Sequence, residues 1–373
     1  MNTIFEAASS QDDFRGSKNA MISKVYDALR PLLFLLPPET AHRFVHTGLE
    51  YTQGTSIERI LTEQFSVPDT RLEVECFGET FANPVGVAAG FDKNATIPNA
   101  LAALGFGHVE VGGVTKRPQA GNDRPRMHRL VEDEAIINRM GLNNDGAATI
   151  GSRLNAYDRL AVPVGVNIAL SEATPVVEAP QEYVETYRAV ADRVAYVAIN
   201  VSCPNTDSAR QLQSRDSIEA IVEAVTDVAK VPLVLKLSPD LSMSALEDTI
   251  EIIETYDVDG VIATNTTVSR PSGMGSPAQG APGGLSGSPI EARATSLIKF
   301  VAGQSDVPII GVGGVSDAAG AYEKIKAGAT LVQLYTGLVY NGPTVAHDIN
   351  KELSRLLAQD GYSSVSEAVG ADQ

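Results

Sequence analysis

Polar and charged side chains follow several short apolar segments of this sequence, at the points where those segments end. Five such groups occur: Asp92, Lys93 and Asn94; Asn167; Asn200, Ser202, Cys203, Pro204, Asn205 and Thr206; Lys236; and Thr264, Asn265, Thr266 and Thr267. One group by itself would be ordinary turn chemistry. Five groups meeting at one edge of a parallel sheet predict instead a site that hydrogen-bonds a planar polar ring.

Glycines and hydroxyls end the last two apolar segments. Gly311, Gly313 and Gly314 end one of them, and Tyr335, Thr336 and Gly337 end the other. Glycine lets backbone N–H groups approach an anion closely, and phosphates commonly bind after the last two strands of a barrel. These segments therefore predict a phosphate site.

Two lysines stand at the ends of apolar segments, where burying an ammonium is costly. Lys93 follows PVGVAAG, and Lys236 follows PLVL, so the stem of Lys236 begins inside the predicted sheet. One interpretation is that Lys236 stabilises an anionic cofactor ring. A structural ion pair is the other.

Eight apolar, β-rich segments alternate with amphipathic helical patterns. The segments are 84–90, 108–114, 162–169, 196–202, 232–238, 260–266, 308–314 and 329–337. Continuous apolar strands between helices indicate a parallel sheet that helices cover. Eight such units predict an α/β fold, a closed (β/α)₈ TIM barrel over residues 67–360. An open doubly wound sheet is the alternative.

The predicted barrel follows a small N-terminal helical element at residues 21–66. Its first helix, KVYDALRPLLFLL, is apolar nearly all round and ends before Pro37-Pro38; the second, PETAHRFVHTGLEY, is amphipathic with proline in its first turn. An apolar helix this short is either a core helix or an interfacial anchor. Because residues 32–36 cannot all face one small core, we expect an anchor at a membrane surface.

The remaining segments carry weaker signals. Residues 1–20 are expected to be a leader or disordered, and residues 361–373 a flexible tail. The alternation in 71–83 predicts a hairpin, with Cys76 as a small buried hydrophobe.

Composition excludes some functions. The net charge is −17, with 46 acidic against 29 basic residues, so a nucleic-acid partner is not expected. The charge fits a high-salt cytoplasm, where counterions screen repulsion, or an ordinary acidic protein. Two cysteines make no disulfide framework, no Cys/His cluster has metal-ligand spacing, and no apolar segment is long enough to span a bilayer.

Several blocks of residues together resemble the dihydroorotate dehydrogenase family over roughly 22–358. They are NPVGVAAGFDKNA, EVGGVTKRPQAGNDRPRMHRL, IINRMGLNN, AINVSCPNT, VIATNTT, GGLSGSPI, IIGVGGV and LVQLYTGLVYNGP. The resemblance implies FMN as cofactor and oxidation of dihydroorotate to orotate in the biosynthesis of pyrimidines.

The resemblance also implies roles for individual positions. Those that match ligands of dihydroorotate and orotate are Lys93, Asn138, Asn200, Asn205, Asn265 and Thr266. Those that match FMN contacts are Ala88, Ala89, Gly90, Asn167, Lys236, Thr264, Ser286, Gly287, Gly313, Gly314, Tyr335 and Thr336. Thr206 lies next to the implied base, Cys203, and is expected to assist it.

The N-terminal helices, with the block PPETAHRF, resemble the membrane-associated class that uses quinone. In that class the helices form a lipid-facing tunnel to the flavin, and His42 and Arg126 match polar tunnel residues. The resemblance therefore implies a quinone partner and a peripheral location on the cytoplasmic side of the cell membrane.

Three features depart from the quinone-using class. Cys203 stands where that class usually carries serine, as in soluble classes that reduce fumarate or, through a partner subunit, NAD. The segment IALSEATP replaces a usual Gly-Lys-Asn run, and Leu142 replaces a common aromatic residue.

We expect quinone as the electron acceptor, because the N-terminal helices are a whole element with no other evident role. A soluble acceptor such as fumarate is the alternative. A catalytically silent membrane-bound barrel is a second alternative, which the intact set of strand-end polar residues disfavours.

Cys203 is expected to act as the base. The implied reaction removes a proton from one ring carbon and a hydride from its neighbour, and the proton needs a base within hydrogen-bond reach. A thiol has an unperturbed pKa of about 8.5, far below that of a serine hydroxyl. The asparagines and Lys93 would hold the substrate and its negative charge, while the flavin N5 would take the hydride.

Overall fold

A computed structural model describes residue 19 and residues 21–202 and 211–373. Eight parallel strands close into a barrel in the order 260–263, 309–312, 331–334, 85–87, 108–114, 164–168, 196–200 and 233–237. All eight apolar segments are barrel strands, which confirms the predicted fold. The thirteen strands of the described residues are β1 Val74–Cys76, β2 Glu79–Phe81, β3 Val85–Val87, β4 His108–Val114, β5 Met127–Leu130, β6 Ala135–Asn138, β7 Val164–Ile168, β8 Tyr196–Asn200, β9 Leu233–Leu237, β10 Gly260–Ala263, β11 Gly284–Gly287, β12 Ile309–Val312 and β13 Leu331–Leu334.

Amphipathic helices cover the outside of the barrel. The helix Arg215–Thr226, for example, buries Ile218, Ile221, Val222 and Val225, which recur at helical spacing, and Ser214 caps its first turn. The N-terminal helices are α1 (residues 21–35), α2 Pro38–Glu50 and α3 Ser56–Phe65. The others are Pro98–Ala103, Ala147–Ala156, Ala179–Val190, Arg215–Thr226, Met243–Thr255, Glu291–Ala302, Ala318–Lys326, Thr336–Asn341, Val345–Asp360 and Val365–Ala368.

The predicted hairpin, β1 and β2, closes the barrel at the amino ends of its strands. Phe81 packs edge-on against His108 of β4 with ring centroids 5.5 Å apart, and Phe77 lies 5.4 Å from the ring of Tyr196 in β8. Gly165 makes room for Tyr196, because a Cβ there would lie 2.1 Å from the ring. Since this end is closed by side chains, chemistry is confined to the carboxyl ends of the strands.

A second, three-stranded antiparallel sheet, in the order β11-β6-β5, was not anticipated. Leu285 pairs with Ile137, and His128 pairs with Ile137 from the other side. Its strands are four residues long and lie within loops that follow barrel strands. This sheet extends the wall of the barrel mouth beyond the strand ends.

Helix α1 is docked on the barrel mouth by polar contacts at both sides. Tyr26 Oη donates to the Val339 carbonyl at 2.6 Å, and Arg30 Nη1 donates to the Tyr340 carbonyl at 2.7 Å. Arg129 Nη2 donates to the Phe34 carbonyl at 2.9 Å and so satisfies the free C-terminal end of the helix.

Apolar side chains of the N-terminal helical element face outward, among them Leu32, Leu35 and Phe44, which are 62, 81 and 68% exposed. Among the described residues, no helix combines the length and the apolar character that crossing a membrane requires.

Residues 361–373 are not the flexible tail that was expected. Val365 and Ala368 are fully buried, and Lys326 pairs with Asp372 at 3.3 Å. The Gly370 amide also donates to the Ile325 carbonyl at 3.1 Å. The segment folds back because it has apolar side chains to bury against the helix Ala318–Lys326, a pairing that its own polar composition did not indicate. The expectation for residues 1–20 lies outside the described residues, apart from Asn19.

Candidate active site

A cleft of about 1170 Å³ opens at the carboxyl ends of the barrel strands. Every described residue that the sequence assigned to substrate or cofactor lines it: Ala88, Ala89, Gly90, Lys93, Asn138, Asn167, Asn200, Lys236, Thr264, Asn265, Thr266, Ser286, Gly287, Gly313, Gly314, Tyr335 and Thr336. Cys203, Asn205 and Thr206 lie outside the described residues. The predicted residues that line the cleft lie together because closure of the barrel brings the carboxyl ends of its strands to one mouth.

Three asparagines from three strand ends form a continuous hydrogen-bonded chain under the cleft. Asn200 Nδ2 donates to Asn167 Oδ1 at 2.9 Å. Asn265 Nδ2 donates to Asn200 Oδ1 at 3.4 Å and to Ser202 Oγ at 3.0 Å. A buried amide has to find partners for both its ends, so this chain fixes which way each amide points.

Lys236 forms a buried ion pair at the base of the cleft. Its Nζ lies 3.0 Å from Glu110 Oε1, and both side chains are almost completely inaccessible to solvent. The ion pair confirms the structural interpretation of this lysine. Lys236 also lines the cleft, and its role towards a cofactor ring stays a prediction. The sequence analysis missed Glu110, although a carboxylate inside the apolar segment HVEVGGV was a usable signal.

Lys93 brings positive charge to the upper part of the cleft. Burial lowers its pKa to about 8, and the nearby Glu39 carboxylate on α2 opposes that shift, while Arg126 adds to it. Asp92, the preceding residue, is fully buried and accepts hydrogen bonds from the Thr96 and Ile97 amides. The loop that carries Lys93 is therefore held in place by its own backbone.

Glycines and hydroxyls at the far end of the cleft provide donors for an anion. Gly314 has φ +82°, and a Cβ there would lie 2.3 Å from that of Glu291. The residue must therefore be glycine for the chain to turn against the helix Glu291–Ala302. The Ser286 and Thr336 hydroxyls lie 2.8 Å apart and line the same end. Hydroxyls and glycine backbone N–H groups are donors that bind phosphate, so the phosphate site stays a prediction for this end of the cleft; Gly311, which was grouped with it, does not line the cleft.

A second, apolar cavity of about 1070 Å³ lies between the N-terminal helices and the barrel mouth. Residues of α1 and α2 line one side, including Leu33, Phe34, Ala41, Phe44 and Val45. The two cavities share a wall, since three residues line both: Met127, Ile136 and Tyr335. A compound in the apolar cavity would thus be separated from the polar cleft by a single layer of side chains.

His42 lines this apolar cavity, as the resemblance implied. Its ring packs edge-on against Phe91 with centroids 5.0 Å apart. Burial, with the nearby positive charge of Lys93, lowers the pKa of His42 to about 3. The side chain is therefore neutral at pH 7, and it brings a polar ring, hydrogen-bonded to the Phe91 backbone, into a mostly apolar cavity.

Arg126 does not line the apolar cavity, so its assignment there was wrong. Its Nη2 donates to Glu39 Oε1 at 2.8 Å, and its Nη1 donates to the Ala120 and Asn122 carbonyls at 2.7 and 3.0 Å. Arg126 thus ties α2 to the loops beside the cleft. Arg129 is the arginine that lines the cavity, with its guanidinium 4.5 Å from the centre of the Phe34 ring.

Comparison with known proteins agrees with this architecture. The family model described as "Dihydroorotate dehydrogenase" matches residues 71–357. A protein named dihydroorotate dehydrogenase (quinone) from Haloarcula marismortui is 57% identical, over 93% of this chain and 99% of that relative. One of the same name from an Anaeromyxobacter species (strain Fw109-5) is 45% identical, over 93% and 97%. A solved structure of ligand-free DHODH from Eimeria tenella superposes with a TM-score of 0.83 at 34% identity, covering 90% of this chain and 99% of that one. The chain belongs to the dihydroorotate dehydrogenase family.

Proposed function

We propose that the protein oxidises dihydroorotate to orotate in the biosynthesis of pyrimidines, with FMN as the hydride acceptor, and passes the electrons to a membrane quinone. The observation that supports this most is the shared wall of Met127, Ile136 and Tyr335 between the polar cleft and the apolar cavity. A polar substrate and an apolar electron acceptor need separate chambers that both reach one redox group. The relatives named for quinone agree with this arrangement.

The donors of the cleft fit FMN. Lys236, Asn167 and Thr264 would face its polar ring edge, and Gly313, Gly314, Ser286 and Thr336 would bind its phosphate. Ala88, Ala89, Gly90, Gly287 and Tyr335 complete the lining. Bound FMN would supply the redox chemistry that the side chains lack, as acceptor of the hydride.

The substrate would bind through amides and one cation. Asn138, Asn200, Asn265 and Thr266 line the cleft with Lys93, and Asn205 would join them. The Lys93 ammonium would pair with the carboxylate of dihydroorotate, and the amides would bind its ring carbonyls and N–H groups. Cys203 would take the proton from the ring carbon, with Thr206 assisting it.

The outward-facing apolar side chains of α1 and α2 support docking on a membrane surface. Leu32, Leu35 and Phe44 are exposed beside the apolar cavity, so a quinone dissolved in lipid would enter without crossing water. The protein would then lie peripherally on the cytoplasmic side of the cell membrane. Flotation with lipid vesicles, compared between the protein and a Leu32→Glu/Leu35→Glu variant, tests this placement.

Anaerobic titration of the purified protein tests the central proposal. The protein is expected to be yellow, with the absorbance of oxidised FMN, and dihydroorotate is expected to bleach it in a stoichiometric amount. Adding a quinone analogue should restore the colour. A colourless protein that does not bind added FMN, or a flavin that dihydroorotate leaves oxidised, would refute the proposal.

A soluble acceptor is the second candidate, because Cys203 is the residue found in classes that use one. Steady-state turnover with a short-chain quinone and with fumarate distinguishes the two. Quinone is expected to support turnover and fumarate not. Faster turnover with fumarate would assign the protein to the second candidate while leaving the first half-reaction intact.

The pH dependence of orotate binding is expected to follow Lys93. Because its pKa is about 8, Lys93 is charged below pH 8 and loses its charge above it. Orotate affinity should therefore be constant from pH 6 to 7.5 and then fall by about tenfold for each pH unit once the lysine is neutral. Flavin absorbance reports the dissociation constant, and the same titration in the Cys203→Ala variant shows the effect without the thiol. An affinity unchanged up to pH 9.5 would contradict this role.

A further inference from the structure

Glu110 lies at the centre of the barrel, directly under the cleft, and is completely buried. Four donors from four other strands converge on its carboxylate. Lys236 Nζ and Asn167 Nδ2 donate to Oε1 at 3.0 and 2.9 Å. Gln333 Nε2 and Tyr196 Oη donate to Oε2 at 2.9 and 3.3 Å. A carboxylate so fully satisfied in a dry interior has a fixed position.

Its first effect is on Lys236. The Glu110 carboxylate lies on the side of the Lys236 ammonium that faces away from the cleft. Its negative charge partly cancels the positive potential that the ammonium would otherwise produce in the cleft. In the low dielectric of the interior, removal of the carboxylate would strongly increase the positive potential in the cleft. Glu110 therefore limits how far Lys236 stabilises negative charge on a bound ring.

Its second effect runs along the asparagine chain. An ionised carboxylate can only accept, so Asn167 must point its Nδ2 towards Glu110 and its Oδ1 towards Asn200. Asn200 must then donate to Asn167 and accept from Asn265. The carboxylate thus sets the direction of Asn167 and contributes to that of Asn200, whose Oδ1 also accepts from the Ser202 amide at 3.2 Å. Asn265 is oriented separately, because its Oδ1 accepts from the Thr266 amide at 2.8 Å.

We propose that Glu110 is a positioning residue that orients Asn167, and through it Asn200, and moderates the charge of Lys236 on the flavin. This inference rests on the proposed function. Glu110 does not line the cleft and acts through three residues that do, Lys236, Asn167 and Gln333. A glutamine in its place could either donate or accept, and would therefore no longer fix the amide directions.

The Glu110→Gln variant, carrying FMN, tests both effects without a turnover assay. Orotate titration of the flavin absorbance is expected to give a dissociation constant raised by about tenfold, as for one misdirected buried hydrogen bond. The two-electron midpoint potential should become more positive, by about 30 mV for each tenfold change in the equilibrium constant of reduction. The positive shift follows because the substitution removes a buried negative charge from beneath the flavin site, where that charge opposes the addition of electrons.

Glu110→Asp and Tyr196→Phe are the matched variants. Glu110→Asp keeps the charge but shortens the side chain, so its potential should stay close to that of the unmodified protein while orotate binding weakens. Tyr196→Phe removes one donor to Glu110 and should alter neither quantity by more than about twofold. If Glu110→Gln does not fold, Glu110→Asp alone tests the positioning role, because an unchanged orotate affinity in that variant would overturn it.

The two proposals fail in different ways. Failure of the proposed function would show in the unmodified protein, as absence of flavin or of bleaching by dihydroorotate. Failure of the Glu110 inference would show in Glu110→Gln, as a yellow protein whose potential and orotate affinity both match the unmodified protein.

Discussion

Cys203→Ala is expected to slow anaerobic flavin reduction by dihydroorotate by roughly 10²–10⁴-fold, the range that a positioned general base contributes. The variant should still bind FMN and orotate, because the Lys236, Asn167 and Asn200 side chains are held by Glu110 and by one another. Stopped-flow absorbance at the flavin maximum measures the rate directly. Reduction at a near-normal rate would remove Cys203 from the mechanism.

The neighbourhood of Cys203 in the chain supports its role. Ser202, the residue before it, is buried and hydrogen-bonded to Asn265, and Asn200 lies two positions further back in the asparagine chain. The backbone therefore leaves the barrel at the substrate site immediately before Cys203. Cys203→Ser should retain activity but need a higher pH, because a hydroxyl is a much weaker acid than a thiol.

Cys76→Ala is the control for this experiment. Cys76 lies in β1 at the closed end of the barrel, where burial raises the pKa of its thiol to about 12. Its thiol thus stays protonated at neutral pH and is far from the cleft. Flavin reduction in Cys76→Ala should match the unmodified protein, so that a loss in Cys203→Ala reports on that site and not on cysteine in general.

Ala41→Trp is expected to abolish most quinone reduction while leaving the first half-reaction intact. Ala41 lines the apolar cavity from α2, so an indole there would fill space that an acceptor needs. Turnover with a quinone analogue should fall by about tenfold or more, since an apolar ligand depends on the space that encloses it. The rate of flavin reduction by dihydroorotate should not change, because the polar cleft lies behind the wall of Met127, Ile136 and Tyr335.

Thr47→Trp provides the matched control. Thr47 is exposed on the same helix and does not line the apolar cavity, so the same indole should leave both half-reactions unchanged. If Ala41→Trp reduced quinone as fast as Thr47→Trp, the apolar cavity would not be the route to the acceptor. If it slowed flavin reduction as well, the two chambers would not be independent.

Much of the site was predictable because each barrel strand has a local sequence pattern that can be recognised. Each strand is buried on both faces and reads as an unbroken apolar segment, and its carboxyl end is marked where polar residues begin. Asn167, Lys236 and Thr264, for example, were placed at the mouth from these ends alone. Closure of the barrel then brings all of the ends together, whatever their separation along the chain.

The pairing of Lys236 could not be predicted, although both charges were visible. Glu110 lies 126 positions away in the chain, and only the order of strands in the closed barrel brings it within 3.0 Å. The same holds for the antiparallel sheet, in which Ser286 pairs with Ile136 across 150 positions. Strands of four residues with mixed polarity give too weak a local pattern to be recognised.

The arginine of the apolar cavity illustrates what the sequence predicted and what only the tertiary structure decided. The family resemblance of the segment RPRMHRL predicted an arginine at the cavity and assigned Arg126 to it. Whether it is Arg126 or Arg129 was decided by β5, because alternate residues of a strand face the same side. Met127 and Arg129 share the side that faces the cavity, whereas Arg126 points the other way, to Glu39. Sequence thus determined the strands, their polar ends and the family; the tertiary structure decided which charges meet, because that depends on strand order and on the face each residue takes.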